Sequence, residues 1–258
     1  MGFLSLSSLI SMRSTCGYWQ RTVKDKRDVL HSTRSRLLVL FEETVGSKAF
    51  PEYRKRTEMY LQPFVRDMFM ERFRAGGSKS MPEEFEMWVM EWPLCAAMVD
   101  TWPGTYKRKV PTLDWWPDDW NHLCEYTNSF GRRPMNIPFQ LTERTVNQRQ
   151  WKEKMPCHAK NGTGYILRAK AVDVCWPFGQ DYTGNRYLLV LDGEGPLKGC
   201  VVLCLPTFQP QLEPYREIYS VLECGGVLDL PSRHPQVFDD WIKFLRYKMS
   251  MLEESYRS

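Results

Sequence analysis

Apolar residues recur at the spacing of an α-helix in three successive stretches between Lys26 and Trp102, and no other feature constrains the fold as strongly. In the first stretch Leu30, Leu37, Leu38, Phe41 and Val45 fall on one helical face, and Gly46 stands where glycine commonly ends a helix. In the second, Tyr53, Tyr60, Leu61, Phe64, Val65 and Met68 form the stripe, and Pro51 occupies a position tolerated in a first turn. Pro63 lacks the N–H a helix interior needs, so a kink or break is expected there. The third follows a Gly76-Gly77 loop and opens on Ser80 and Glu83, which have capping-box spacing. Phe85, Trp88, Val89, Trp92, Ala96 and Val99 continue it, with Pro93 threatening its middle. Amphipathic helices joined by short loops bury their stripes against one another, so residues 26–104 are expected to form a three-helix bundle.

The segment before the bundle has a different chemistry. Residues 1–24 contain no Asp or Glu, but carry Ser5, Ser7, Ser8, Ser11 and Ser14 with Arg13, Arg21 and Lys24 among apolar residues. A serine- and arginine-rich, acid-poor start is the pattern of a mitochondrial targeting segment, and residues 1–25 are read as one. A secretory signal would place its positive charge before the apolar core, whereas Arg13 follows it.

After the bundle the periodicity fades. Residues 105–160 carry Pro111, Pro117, Pro134, Pro138 and Pro156 and read as an extended connector. Trp115, Trp116 and Trp120 within it are costly to leave in water, so they dock either on this chain's own bundle or on a partner. From residue 161 the pattern changes to strands: Tyr165–Trp176, Arg186–Asp192 and Gly199–Leu205, with a further hairpin over Tyr219–Leu230. Val201–Leu205 is apolar throughout and is expected to be buried on both faces. A final helix over His234–Tyr256 presents Phe238, Trp241, Ile242, Leu245, Met249, Leu252 and Tyr256 as a stripe that should pack on the sheet or on a partner. The fold class is therefore α+β: an N-terminal three-helix bundle, a Trp/Pro-rich extended connector, and a small antiparallel β-module (161–258) with a C-terminal helix.

Composition narrows the function classes. A net charge of +4 is mild for a non-specific nucleic-acid binder. The 10 Trp, 12 Tyr and 13 Phe suit a large core or large protein–protein contacts. None of the 8 cysteines forms a CxxC, and Cys200 and Cys204 in one strand would stand about 13 Å apart, too far for one metal. Gly193-x-Gly195 lacks the third glycine of a dinucleotide cradle and reads as a hairpin loop. P-loop, GxSxG and HExxH patterns are absent from the sequence. Glu83, Glu84 and Glu86 are explained by the helix dipole rather than by acid–base work. Asn161-Gly-Thr163 is a turn signal before it is a glycosylation site. No catalytic residue, cofactor, metal or small-molecule substrate is expected, and no apolar run reaches the ~20 residues that span a bilayer.

The order of features resembles a family. Arg36-Leu-Leu-Val-Leu-Phe41, then Tyr53-Arg-Lys-Arg-Thr-Glu58, a Gly-Gly loop, the Glu83-Glu84 pair and Met98-x3-Trp102-Pro103 are similar to the alpha subcomplex subunit five family of mitochondrial NADH:ubiquinone oxidoreductase, respiratory complex I. The resemblance covers residues 28–120, includes the Trp115-Trp-Pro-Asp-Asp-Trp120 tail, and leaves a long C-terminal extension. It implies a non-catalytic accessory subunit, peripheral on the matrix side of the inner membrane, bracing the matrix arm through protein–protein contacts. The residues it offers for those contacts are Tyr53, Arg54, Lys55, Trp102, Trp115, Trp116 and Trp120. The alternative expectation is a mitochondrial ribosomal or RNA-binding protein, for which the sheet region supplies Arg168, Lys170, Tyr182, Arg186 and Lys198.

Overall fold

The computed structural model describes residues 4–26, 30–61, 64–75, 81–98, 101–103, 135–162, 164–175, 186–204 and 237–257. The chain divides into two compact units, one of Met1–Met70, Pro82–Arg108 and Trp241–Ser258, the other of Glu71–Met81 and Lys109–Asp240. The architecture is α+β: N-terminal helices, an antiparallel sheet and a C-terminal helix. Among the described residues no helix is long and apolar enough to cross a membrane.

The helical unit begins with the acid-free segment. α1 (Leu6–Thr15) starts where the Ser5 hydroxyl accepts the Ser8 N–H at 3.2 Å, satisfying one of the first-turn donors. Leu6 and Leu9 are fully buried, each worth roughly 1.5–3 kcal/mol of apolar burial. α2 (Gly17–Asp25) buries Val23 and leaves Tyr18 and Trp19 exposed, their rings meeting edge to face at 5.4 Å. α3 (Ser32–Gly46) buries Leu37, Leu38 and Leu40, and it ends at Gly46 as expected.

The second stripe is divided between two helices, α4 (Phe50–Tyr60) with Pro51 in its first turn, and α5 (Arg66–Ala75). The break expected from Pro63 falls in this interval, although Pro63 itself lies outside the described residues. The expected three-helix bundle is thus built from more helices than three. α6 (Glu83–Glu91) starts later than the capping-box spacing implied. Its N-cap is Pro82, with no side-chain cap, and Ser80 lies outside the described residues. Pro93 ends α6, because a helix rarely continues through the residue before a proline, and a 3-10 turn over Leu94–Ala96 follows.

The C-terminal helix departs from expectation in start and in partner. Helix α7 (Glu143–Gln148) precedes it in the chain, and the C-terminal helix, α8, spans Trp241–Arg257, so Phe238 belongs to a strand instead. α8 packs within the helical unit: Trp241 meets Phe85 at 5.0 Å and Trp88 at 5.0 Å, both edge-on. The Arg246 Nε donates to the Glu43 carboxylate at 2.8 Å, tying α8 to α3. Trp88, Trp92, Trp102 and Trp241 are all fully buried, so much of the aromatic surplus is core.

In the sheet unit, β1 (Met135–Thr142), β2 (Lys160–Asn161), β3 (Gly164–Cys175), β4 (Arg186–Gly193), β5 (Val201–Cys204) and β6 (Val237–Phe238) pair antiparallel in the order β1-β3-β4-β5-β6, with β2 also on β3. Residues 135–160, expected as connector, thus supply β1, α7 and two 3-10 turns. Tyr165, Leu167, Ala169 and Ala171 alternate into a core with Phe139, Leu188, Val190 and Val202, the period-2 pattern of a half-buried strand. Val201, Val202 and Leu203 are buried in succession, as expected for a strand covered on both faces. The Asn161-Gly162 signal is a turn, with Gly162 at φ 56°, and Gly195 at φ 65° opens the 3-10 turn joining β4 to β5. The expected hairpin over 219–230 lies outside the described residues.

Candidate partner-binding surface

The Tyr53–Glu58 string lies on α4, where helical spacing divides its members between packing and solvent. Tyr53 is half-buried, and its carbonyl accepts the Thr57 hydroxyl at 3.0 Å. Arg54 faces inward along the unit: its Nη1 donates to the Leu94 carbonyl at 2.6 Å, while its Nε pairs with Glu58 at 2.8 Å. Lys55 points outward and pairs with Glu52 at 3.3 Å, an exposed i,i+3 contact worth a few tenths of a kcal/mol. Arg54 therefore builds the surface, and Lys55 is displayed on it.

The turn that Arg54 holds is also held from α5. Arg66 donates through Nη1 to the Met90 carbonyl and through Nη2 to the Trp92 carbonyl at 2.6 Å. These are the carbonyls left without helical partners where α6 ends, so two guanidinium N–H groups replace the missing turn. Burial lowers the Arg66 pKa from its ordinary value, and its cation lies 5.3 Å over the Trp102 ring. The pinned turn displays Leu94 at 46% exposure, and Val65, just before α5, and Met68 within it are exposed as well. Arg66 is a residue that the periodicity did not single out. Its only sequence signal is a cation between two apolar positions of a stripe.

Trp102 is placed inside this unit rather than at its surface. It is 1% exposed and meets Phe64 at 5.4 Å and Trp88 at 5.1 Å, both edge-on. Trp115, Trp116 and Trp120 lie outside the described residues.

A polar seam joins α3 to α6. The Thr33 hydroxyl donates to the Glu83 carboxylate at 2.7 Å, His31 Nε2 lies 3.3 Å from Glu83, and Arg36 pairs with Glu84 at 3.2 Å. Glu83 and Glu84, read as dipole residues, thus also recognise α3. Opposite charges on the two amphipathic segments were the available signal. In the sheet unit, Arg168 and Lys198 are exposed and Lys170 is half-buried, while Tyr182 lies outside the described residues. Cys200 is buried, its thiol donating to the Pro196 carbonyl at 3.5 Å, and Cys157 is exposed. His158 Nε2 stands 3.5 Å from Glu194. Among the described residues, no three His, Cys, Asp or Glu side chains converge as metal ligands.

Comparison with protein-family models, with curated proteins and with solved structures finds no match to this chain.

Proposed function

We propose that this chain is a non-catalytic accessory subunit of mitochondrial respiratory complex I, on the matrix side of the inner membrane, where it braces the matrix arm through protein–protein contacts. The observation that carries this reading is the placement of the Tyr53–Glu58 string beside the exposed Leu94. Arg54 fixes the turn that presents Leu94, Lys55 stands outside, and Val65 and Met68 are also exposed. Apolar side chains displayed by a rigid support and rimmed by charge suit a docking surface, because little ordering entropy is lost on binding. The resemblance of the string supplies the identity of the assembly, and the acid-free, Ser- and Arg-bearing start supplies the compartment. In this reading that start is read as an address while it is unpacked.

An affinity-tagged chain expressed in its own cells tests the surface. The wild-type chain is expected to retrieve NADH dehydrogenase activity, and the pair Lys55→Glu with Leu94→Glu is expected to lose it while keeping the thermal midpoint within a few degrees. Equal retrieval by both would remove this surface from the account. Retrieval of ribosomal RNA in place of dehydrogenase subunits would favour the RNA-binding alternative.

A further inference from the structure

A cleft of about 330 Å³ in the helical unit is lined by Arg13 of α1, by Gln20, Arg21 and Lys24 of α2, and by Glu42 of α3. Gln20, Arg21 and Lys24 share one face of α2 because they stand at i, i+1 and i+4. The lining holds three cations and one carboxylate, and Glu42 is paired with Arg13. Arg21 uses its Nε on the Gly17 carbonyl at 3.3 Å, and the residue is exposed. No acidic partner to Lys24 is found among the described residues. The Gln20 amide adds a neutral donor. The lining side chains are all charged or amide-bearing, and their methylene stems form part of the wall. Its volume is at the lower end of small-molecule sites, which run from about 300 to 1,000 Å³.

We propose that this cleft binds a compact phosphoryl-bearing anion of the diphosphate class. Arg21 and Lys24 supply the charge, Gln20 a hydrogen bond, and the Arg13–Glu42 pair forms the wall. Arginine matches phosphoryl oxygens with parallel N–H groups, and lysine contributes a point charge. Glu42 opposes the ligand, so its removal acts in the opposite direction to removal of the cations. The proposal needs only Arg13 to Glu42 folded together, and stands apart from the assembly reading.

Calorimetric titration of the full chain with inorganic pyrophosphate at low salt tests it. The double variant Arg21→Gln, Lys24→Gln is expected to bind at least tenfold more weakly, and Glu42→Gln to bind more tightly. Affinity should fall steeply as salt rises, since exposed charges are screened within about 10 Å at 0.1 M. The pair Lys152→Gln, Lys154→Gln removes the same charge from exposed positions in the sheet unit and is expected to change nothing. The single variant Lys24→Gln replaces the double one if the latter loses its thermal transition. Vesicles containing a phosphoinositide, with pyrophosphate as competitor, separate a lipid headgroup from a free phosphate as the source. Absence of pyrophosphate binding by the wild-type chain overturns the proposal, as does an equal loss in the Lys152, Lys154 control.

Discussion

The Arg34 guanidinium grips both oxygens of the Glu91 carboxylate, with Nη2 to Oε1 at 2.7 Å and Nε to Oε2 at 3.0 Å, and so joins α3 to the last residue of α6. The same carboxylate accepts the Leu6 N–H at 2.7 Å, at the start of α1. One acidic side chain thus holds three helices, and it sits where α6 must stop before Pro93.

Glu91→Ala should lower stability by about 2 kcal/mol, because Arg34 and the Leu6 N–H both lose a charged acceptor in a partly buried place. Replacing Arg34 and Glu91 together by Met and Leu should cost less than Glu91→Ala alone. Urea midpoints of the single and double variants measure both values.

Acid should act through the same residue. Burial pushes the Glu91 carboxyl up, but hydrogen bonds from Arg34 and the Leu6 N–H, with the charges of Arg34 and His31, outweigh it and hold the net pKa below the ordinary 4.5. The Arg34 side of the pair agrees: the hydrogen bond to Glu91 raises its pKa against the pull of burial. Because the folded value is depressed, the stabilisation is complete above the unfolded value and is lost as pH falls through the folded one. The stability difference between wild type and Glu91→Gln should therefore narrow on acidification below 4.5. Denaturant midpoints followed through that range check the sign.

The N-terminal helix should behave as part of the core. Leu9 is fully buried, so Leu9→Ala should cost roughly 2–5 kcal/mol, the cost of losing a buried side chain and leaving a cavity. Ser11→Ala, on the exposed side of α1, should change stability by less than about 0.5 kcal/mol. Thermal midpoints of the two variants separate a packed helix from an idle one.

Gly193 is required by close approach. A Cβ there would lie 2.5 Å from the Ala169 Cβ and 2.7 Å from its Cα, across the β3–β4 pair. Gly193→Ala should destabilise by about 1–3 kcal/mol, as overpacking does. Adding Ala169→Gly should restore only part of this, because the Arg168 carbonyl remains 2.9 Å away. Chemical denaturation of the three proteins reports the outcome.

The sequence carried the helices and strands better than their assembly. Period-3.6 stripes located α3 and the start of α6 within a few residues, although α6 ends at Glu91, short of the stripe's Ala96, and the apolar, turn-bounded run from Tyr165 located β3. The division of the second stripe at Pro63 was legible for a covalent reason, the missing N–H. The partner of α8 was not legible: a stripe of Trp241, Ile242 and Leu245 says that a face is buried, not against what. The aromatic cage of Phe85, Trp88 and Trp241 exists only once distant segments meet. The role of Glu91 was hidden likewise, since neither Arg34 nor Leu6 is near it in sequence. For the candidate surface, Lys55 and Arg54 were found by the string, but their division into displayed and structural residues needed the helix register.

Blue-native separation of mitochondrial membranes, followed by identification of the complex that contains this chain, tests the central claim most directly. The account predicts that the chain migrates in the band that carries NADH dehydrogenase activity, and that it leaves this band when the matrix arm is dissociated. Finding it on its own, or with ribosomal RNA, would contradict the account.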